Sequence, residues 1–104
     1  MLRLKHGVDL RGLQPPLIFA LVALDSLCNS YNASYLITSV CDDAPGRLPD
    51  SLHRKGLAFD FTILNPTRIL TYSLASDILT GALGPQFDVV LESDHIHVEF
   101  DPKI

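Results

Sequence analysis

Phe87-Asp88-Val89-Val90-Leu91-Glu92-Ser93-Asp94-His95-Ile96-His97-Val98-Glu99-Phe100 reads as two strands around a tight turn. Phe87 to Glu92 and His95 to Phe100 carry the β-branched and aromatic content of strands, and Ser93-Asp94 supplies the turn. Successive side chains of a strand point to opposite faces, so Ile96, Val98 and Phe100 share one face while His95, His97 and Glu99 share the other. Such a hairpin lays its apolar side on a core and its polar side on a groove.

Upstream, Leu57 to Ile63 alternates in the same way, with Leu57, Phe59, Phe61 and Ile63 on one face and Ala58, Asp60 and Thr62 on the other. Tyr35 to Val40 has the content of a further short strand. Two helices are expected. Pro15 and Pro16 suit the first turn of one that runs to about Ser30, with Leu17, Leu21, Leu24 and Cys28 on one face and Ile18 and Val22 beside them. Asn29-Ser30-Tyr31-Asn32 reads as its stop. Asn65-Pro66 looks like the cap and first residue of a second helix, from about Pro66 to Leu79 or Leu83, punctuated by Gly81 and Gly84-Pro85. Residues 42 to 52, with two prolines, a glycine and three aspartates, read as a loop. The expected architecture is α+β: one domain over residues 1–104, a small, largely antiparallel sheet packed against two helices.

An apolar fraction of 47% against 19% charged residues describes a folded chain with a modest core. The net charge of −4 and the scattered basic residues argue against a nucleic-acid partner. Cys28 and Cys41 form no disulfide framework and no Cys-x-x-Cys pair. They read as ordinary, partly buried thiols, with a Cys28–Cys41 bridge as the alternative; buried and reduced, they suit synthesis in the cytoplasm. The apolar run Leu17 to Leu24 faintly imitates a secretory signal. Asp9 before it, Pro15-Pro16 at its start and the lack of a small-residue cleavage site before Asp25 argue instead for a buried helix, and the run is too short to span a bilayer.

The chemistry-bearing residues are Ser51-Leu52-His53-Arg54-Lys55-Gly56-Leu57-Ala58-Phe59-Asp60 and Asp94-His95-Ile96-His97-Val98-Glu99. Asp60 and His97 stand on the polar faces of two strands; if those strands are neighbours, both enter one groove. A bend around Gly56 can bring His53 over Asp60. Two imidazoles and a carboxylate then form an open nitrogen/oxygen site of the kind that holds catalytic zinc, with one position left for water. Asp94, three residues before His97, is placed to move the proton without ligating, with Glu92 and Glu99 as other local candidates. His95 can donate a hydrogen bond to an oxyanion.

The two elements Ser51-x-His53-x-x-Gly56-x-Ala58-x-Asp60 and Asp94-His95-x-His97-Val98-Glu99 resemble the zinc D-Ala-D-Ala carboxypeptidase family. That family includes VanX- and VanY-like dipeptidases and carboxypeptidases and the L-Ala–D-Glu endopeptidases of phage endolysins. The resemblance covers roughly Tyr35 to Phe100, with Leu36-Ile37-Thr38-Ser39 as the strand before the metal motif. It implies a hedgehog/DD-peptidase-like fold and one zinc ion held by His53, Asp60 and His97. It further implies Asp94 as catalytic base and Ser51 as a brace of the ligand loop. The His-x-His form is similar to the wider group of lysostaphin-like enzymes and penicillin-insensitive murein endopeptidases, which implies His95 as helper and His97 as ligand.

One departure concerns substrate. After the Thr-Ser strand the family usually carries an arginine that holds substrate; Thr38-Ser39-Val40-Cys41-Asp42 has none, and Arg47 or Arg54 are the stand-ins. The expected function is hydrolysis of a peptide bond in bacterial peptidoglycan, by a compact enzyme of small-bacteriophage type. Without a signal peptide, it would be made in the host cytoplasm and reach the wall with a partner such as a holin. The alternative is a non-catalytic zinc module that binds cell wall or a protein partner, which the missing arginine favours.

Overall fold

Alternating apolar residues build the sheet that organises the molecule. The computed structural model describes residues 1–40, 55–64 and 70–102. In chain order the elements are β1 (Leu2–Leu4), a 3-10 turn (Leu10–Gly12), α1 (Pro15–Ser30), β2 (Ser34–Ser39), β3 (Ala58–Leu64), α2 (Tyr72–Leu83), β4 (Phe87–Leu91) and β5 (Ile96–Phe100). The five strands form one sheet in the order β1-β2-β3-β5-β4. Three of the four pairings are antiparallel and β1 with β2 is parallel, so the architecture is α+β with a mixed, largely antiparallel sheet and two helices.

One sheet face supplies Tyr35, Ile37, Phe59, Phe61, Ile63, Ile96 and Val98 to the core, all fully or nearly fully buried. Leu17, Ala20, Leu24, Leu27 and Cys28 of α1 and Ala75, Leu79 and Leu83 of α2 close over them. Burying a side chain of this size stabilises the fold by roughly 1.5–3 kcal/mol, which is why the alternation decides which face turns inward. Ala58, expected on the polar face, is fully buried as well. The small residue tolerates enclosure where Phe100 N–H bonds to the Leu57 carbonyl.

The first helix has the expected bounds. Prolines occupy its first turn, where missing N–H groups cost nothing. Asn32, at φ +53°, takes the left-handed conformation that turns the chain into β2. Its buried stripe differs from expectation: Ala20 and Leu27 face inward, whereas Ile18 and Val22 are exposed together with Phe19. The helix is apolar nearly all round, so composition alone misjudges which stripe packs.

The second helix begins at Tyr72, not Pro66. Thr71 caps it by accepting the Leu74 N–H at 3.1 Å, and the fully buried Leu70 anchors the chain just before. Asn65 and Pro66 lie outside the described residues. The Tyr72 hydroxyl pins the helix start to β3, accepting from Ile63 N–H and donating to the Ile63 carbonyl. Gly81 sits inside the helix facing open space, and Gly84, at φ +84°, ends it.

The sequence did not announce β1. Its three residues are exposed, so no buried face marks them. Backbone pairing to β2 holds the strand, reinforced by the Met1 ammonium, which donates to the Ala33 carbonyl at 2.9 Å. Among the described residues no helix is long and apolar enough to cross a membrane.

Candidate functional site

The central strand β3 pairs with β5, and its register sets Asp60 directly opposite His97. The same row continues to Ser39 on β2 and Val90 on β4. A bulge between Ile37 and Ser39 shifts the β2 register, so that Ser39 rather than Thr38 pairs with Asp60. The row runs across the sheet close to the carboxyl end of β2.

His97 Nδ1 lies 2.7 Å from Asp60 Oδ1, and His97 Nε2 lies 2.9 Å from Glu99 Oε1. Both ring nitrogens therefore face carboxylates. The hydrogen bond with Asp60 raises the His97 pKa, against burial, which lowers it; Glu99 adds to the rise. Two carboxylates, one against each ring nitrogen, favour the protonated form of His97. All three side chains are largely shielded from solvent.

A second histidine extends the cluster. His95 Nδ1 lies 2.7 Å from Asp94 Oδ1, and its Nε2 points toward Asp60 Oδ2 at 3.9 Å. The Asp94 side chain is 85% exposed and open to solvent. Its position is fixed through the backbone: Thr62 Oγ1 donates to the Asp94 carbonyl at 3.0 Å, and Glu92 N–H donates to the His95 carbonyl. The order along the cluster is Asp94, His95, Asp60, His97, Glu99.

Of the residues singled out from sequence, Asp60, His95, His97 and Asp94 thus converge. His53, Ser51, Arg47 and Arg54 lie outside the described residues, as does Cys41. Cys28 is a buried free thiol, with burial pushing its pKa up to about 11. Glu99 was weighed only as a base; its contact with His97 Nε2 is a different placement, visible once β5 is oriented.

Asp60 and His97 bring one carboxylate and one imidazole together, two donors of the kind that zinc takes. Glu99 on the opposite nitrogen fixes the orientation of the His97 ring. Glu99 also belongs to a second group, with Asp88 and Asp101, that brings carboxylate oxygens close together, but exposed acidic groups are common without a metal.

Comparison with protein-family models and with curated proteins finds no match to this chain.

Proposed function

We propose that the protein is a zinc-dependent peptidase that hydrolyses a peptide bond of bacterial peptidoglycan, of the D-Ala-D-Ala carboxypeptidase or L-Ala–D-Glu endopeptidase type. The observation that carries this reading is the register pairing of Asp60 with His97, with Glu99 behind the histidine and the Asp94–His95 pair alongside. The hedgehog/DD-peptidase-like assignment of the fold belongs to the same proposal, as do the phage origin, the cytoplasmic synthesis and the dependence on a partner such as a holin to reach the wall.

Asp60 and His97 would hold the ion, with His53 as third ligand. When bound, zinc supplies Lewis-acid polarisation of the scissile carbonyl and lowers the pKa of a water. The protein's own groups do the rest. Asp94, solvent-facing, takes the proton from the attacking water and returns it to the leaving amine, so that it ends the cycle unchanged. His95, with Nδ1 against Asp94, presents Nε2 to the oxyanion that develops on the carbonyl oxygen. Glu99 keeps the His97 ring from rotating by accepting its Nε2–H.

The test is a digest of purified peptidoglycan by the zinc-loaded protein, with products identified by mass spectrometry. New fragments name the bond from their masses. Zinc bound in stoichiometric amount with no fragment released would defeat the peptidase reading and leave the non-catalytic zinc module in its place.

A further inference from the structure

The sheet is open on both sides, with β1 as one outer strand and β4 as the other. On β1, Tyr35 N–H donates to the Met1 carbonyl and Lys5 N–H to the Ile37 carbonyl, so Met1, Arg3 and Lys5 turn their backbone groups toward β2. Those groups alternate along a strand, so the N–H and C=O of Leu2 and Leu4 turn outward. On β4, Asp101 N–H donates to the Gln86 carbonyl and Glu92 N–H to the His95 carbonyl. Gln86, Asp88, Val90 and Glu92 therefore bond toward β5, and the backbone groups of Phe87, Val89 and Leu91 turn outward. Among the described residues no strand pairs with either outer side.

The side chains of the two edges match each other. Leu2 and Leu4 are register partners of the buried Tyr35 and Ile37, so they lie on the core side of the sheet, yet they are 38% and 43% exposed. Phe87, Val89 and Leu91 lie on that same side of β4, across from Phe100, Val98 and Ile96. Of the nine large apolar side chains exposed among the described residues, five (Met1, Leu2, Leu4, Val90 and Leu91) stand on or next to these edges. Uncovered apolar surface is thus concentrated where backbone groups also point outward, the combination that templates strand addition. On the polar side the edges differ in charge: β1 carries Arg3 with Lys5 just beyond it, and β4 carries Asp88 with Glu92 just beyond it.

We propose that these edges join one copy of the chain to the next, β1 of one copy adding antiparallel to β4 of another. One parallel and three antiparallel pairings separate β1 from β4, so the two strands run in opposite directions and a sheet continued from copy to copy pairs them antiparallel. Outward residues must face outward residues. Leu4 opposite Val89 and Leu2 opposite Leu91 meets that condition with the longest overlap, Met1 to Lys5 against Asp88 to Glu92. This register lays apolar side chains together on the core side. On the polar side it sets Lys5 opposite Asp88 and Arg3 opposite Val90, with Asp88 and Glu92 at the diagonal positions. Pairing of like edges is disfavoured by the same rule: two β1 strands gather Arg3 and Lys5 of both copies on one face, and two β4 strands gather the acids. The contact is heterologous, so each copy added leaves an edge open and growth does not stop at two.

The experiment is analytical ultracentrifugation of the full chain under reducing conditions, from roughly 10 μM to 1 mM, the range that so small an interface calls for. Amide hydrogen exchange is measured at both ends of that range. The average mass is expected to rise with concentration through and beyond two chains, and to fall back in high salt. The amides of Leu2, Leu4, Val89 and Leu91 should exchange severalfold more slowly at the high concentration, while those of Arg3 and Val90, already bonded within the sheet, stay unchanged. Two exposed substitutions test the register: Arg3→Glu and Val90→Lys should each weaken association at least tenfold, and an equimolar mixture of the two variants should restore it. A mass of one chain throughout overturns the proposal, as does a plateau at two chains. Protection confined to Ile18, Phe19 and Val22 overturns it as well, since the helix face would then be the contact. So does a mixture that associates no better than either variant alone.

Discussion

Asp60 and His97 are register partners at the centre of the sheet, with Oδ1 of one 2.7 Å from Nδ1 of the other. Two rigid strands fix this distance, because β3 is hydrogen-bonded on both sides and β5 lies between β3 and β4. A site built on strands holds its geometry better than one built on loops.

Asp60→Asn should therefore remove most of the zinc affinity while leaving the fold intact. A neutral amide can occupy the same space and still bond to His97, but it is a poor ligand for the ion. Competition with a chromophoric chelator should show zinc held at least roughly 100-fold more weakly, with an unchanged circular dichroism spectrum. Undiminished affinity would remove Asp60 from the ligand set.

Glu99→Gln tests the support behind His97. The amide keeps the shape but not the charge that raises the basicity of the imidazole. Affinity for zinc should fall by roughly 10- to 100-fold, less than for loss of a ligand. An effect as large as that of Asp60→Asn would make Glu99 itself a ligand.

Asp94→Ala separates binding from chemistry. The carboxylate is exposed and touches His95, not His97, so zinc should stay bound with near-native affinity. Release of peptidoglycan fragments should fall by roughly 10²- to 10⁴-fold, the range for loss of a positioned proton carrier. A fully active variant would show that another group moves the proton.

Cys28 provides a pH-dependent readout of the core. Burial raises its thiol from the ordinary 9.0 to about 11. The unfolded chain therefore sheds this proton near pH 9 and the folded chain only near 11. The stability that this group contributes is complete below pH 9 and is lost as pH rises from 9 to 11. Tyr35, buried and donating to Asp25 Oδ1 at 2.7 Å, is raised as well and steepens the loss above pH 10. At pH 8, alkylation mapped to the Cys28 peptide should run roughly 100-fold slower in the native protein than in denaturant, in proportion to the thiolate fraction. Rapid native labelling would place the thiol at the surface.

Phe61→Ala opens a cavity beneath the site. The ring is fully buried and stacks obliquely on Phe59, with centroids 6.3 Å apart. Denaturant titration should show a loss of about 3–5 kcal/mol. A cost under 1 kcal/mol would mean that the sheet does not pack as described.

Several elements were legible because local chemistry specifies them. Pro15-Pro16 and the Asn32 turn bound α1, and the alternation through Phe59, Phe61 and Ile63 marks β3 and its buried face. The start of α2 was misplaced because Asn65-Pro66 offers a plausible cap, while the cap in use is Thr71, selected by the burial of Leu70. The first strand escaped notice because an edge strand held by backbone bonds leaves no hydrophobic period to read.

The sequence by itself determined which residues alternate, and so that Asp60, His95, His97 and Glu99 would share polar faces, since a strand's period of two follows from its backbone geometry. It could not choose neighbours. The order β1-β2-β3-β5-β4, the bulge that sets Ser39 against Asp60, and the register that sets Asp60 against His97 were decided by the tertiary structure. The physical reason is that strand pairing joins residues distant in the chain through backbone groups identical at every position. Only the packing of buried side chains from both helices and all the central strands selects one register among those the backbone allows.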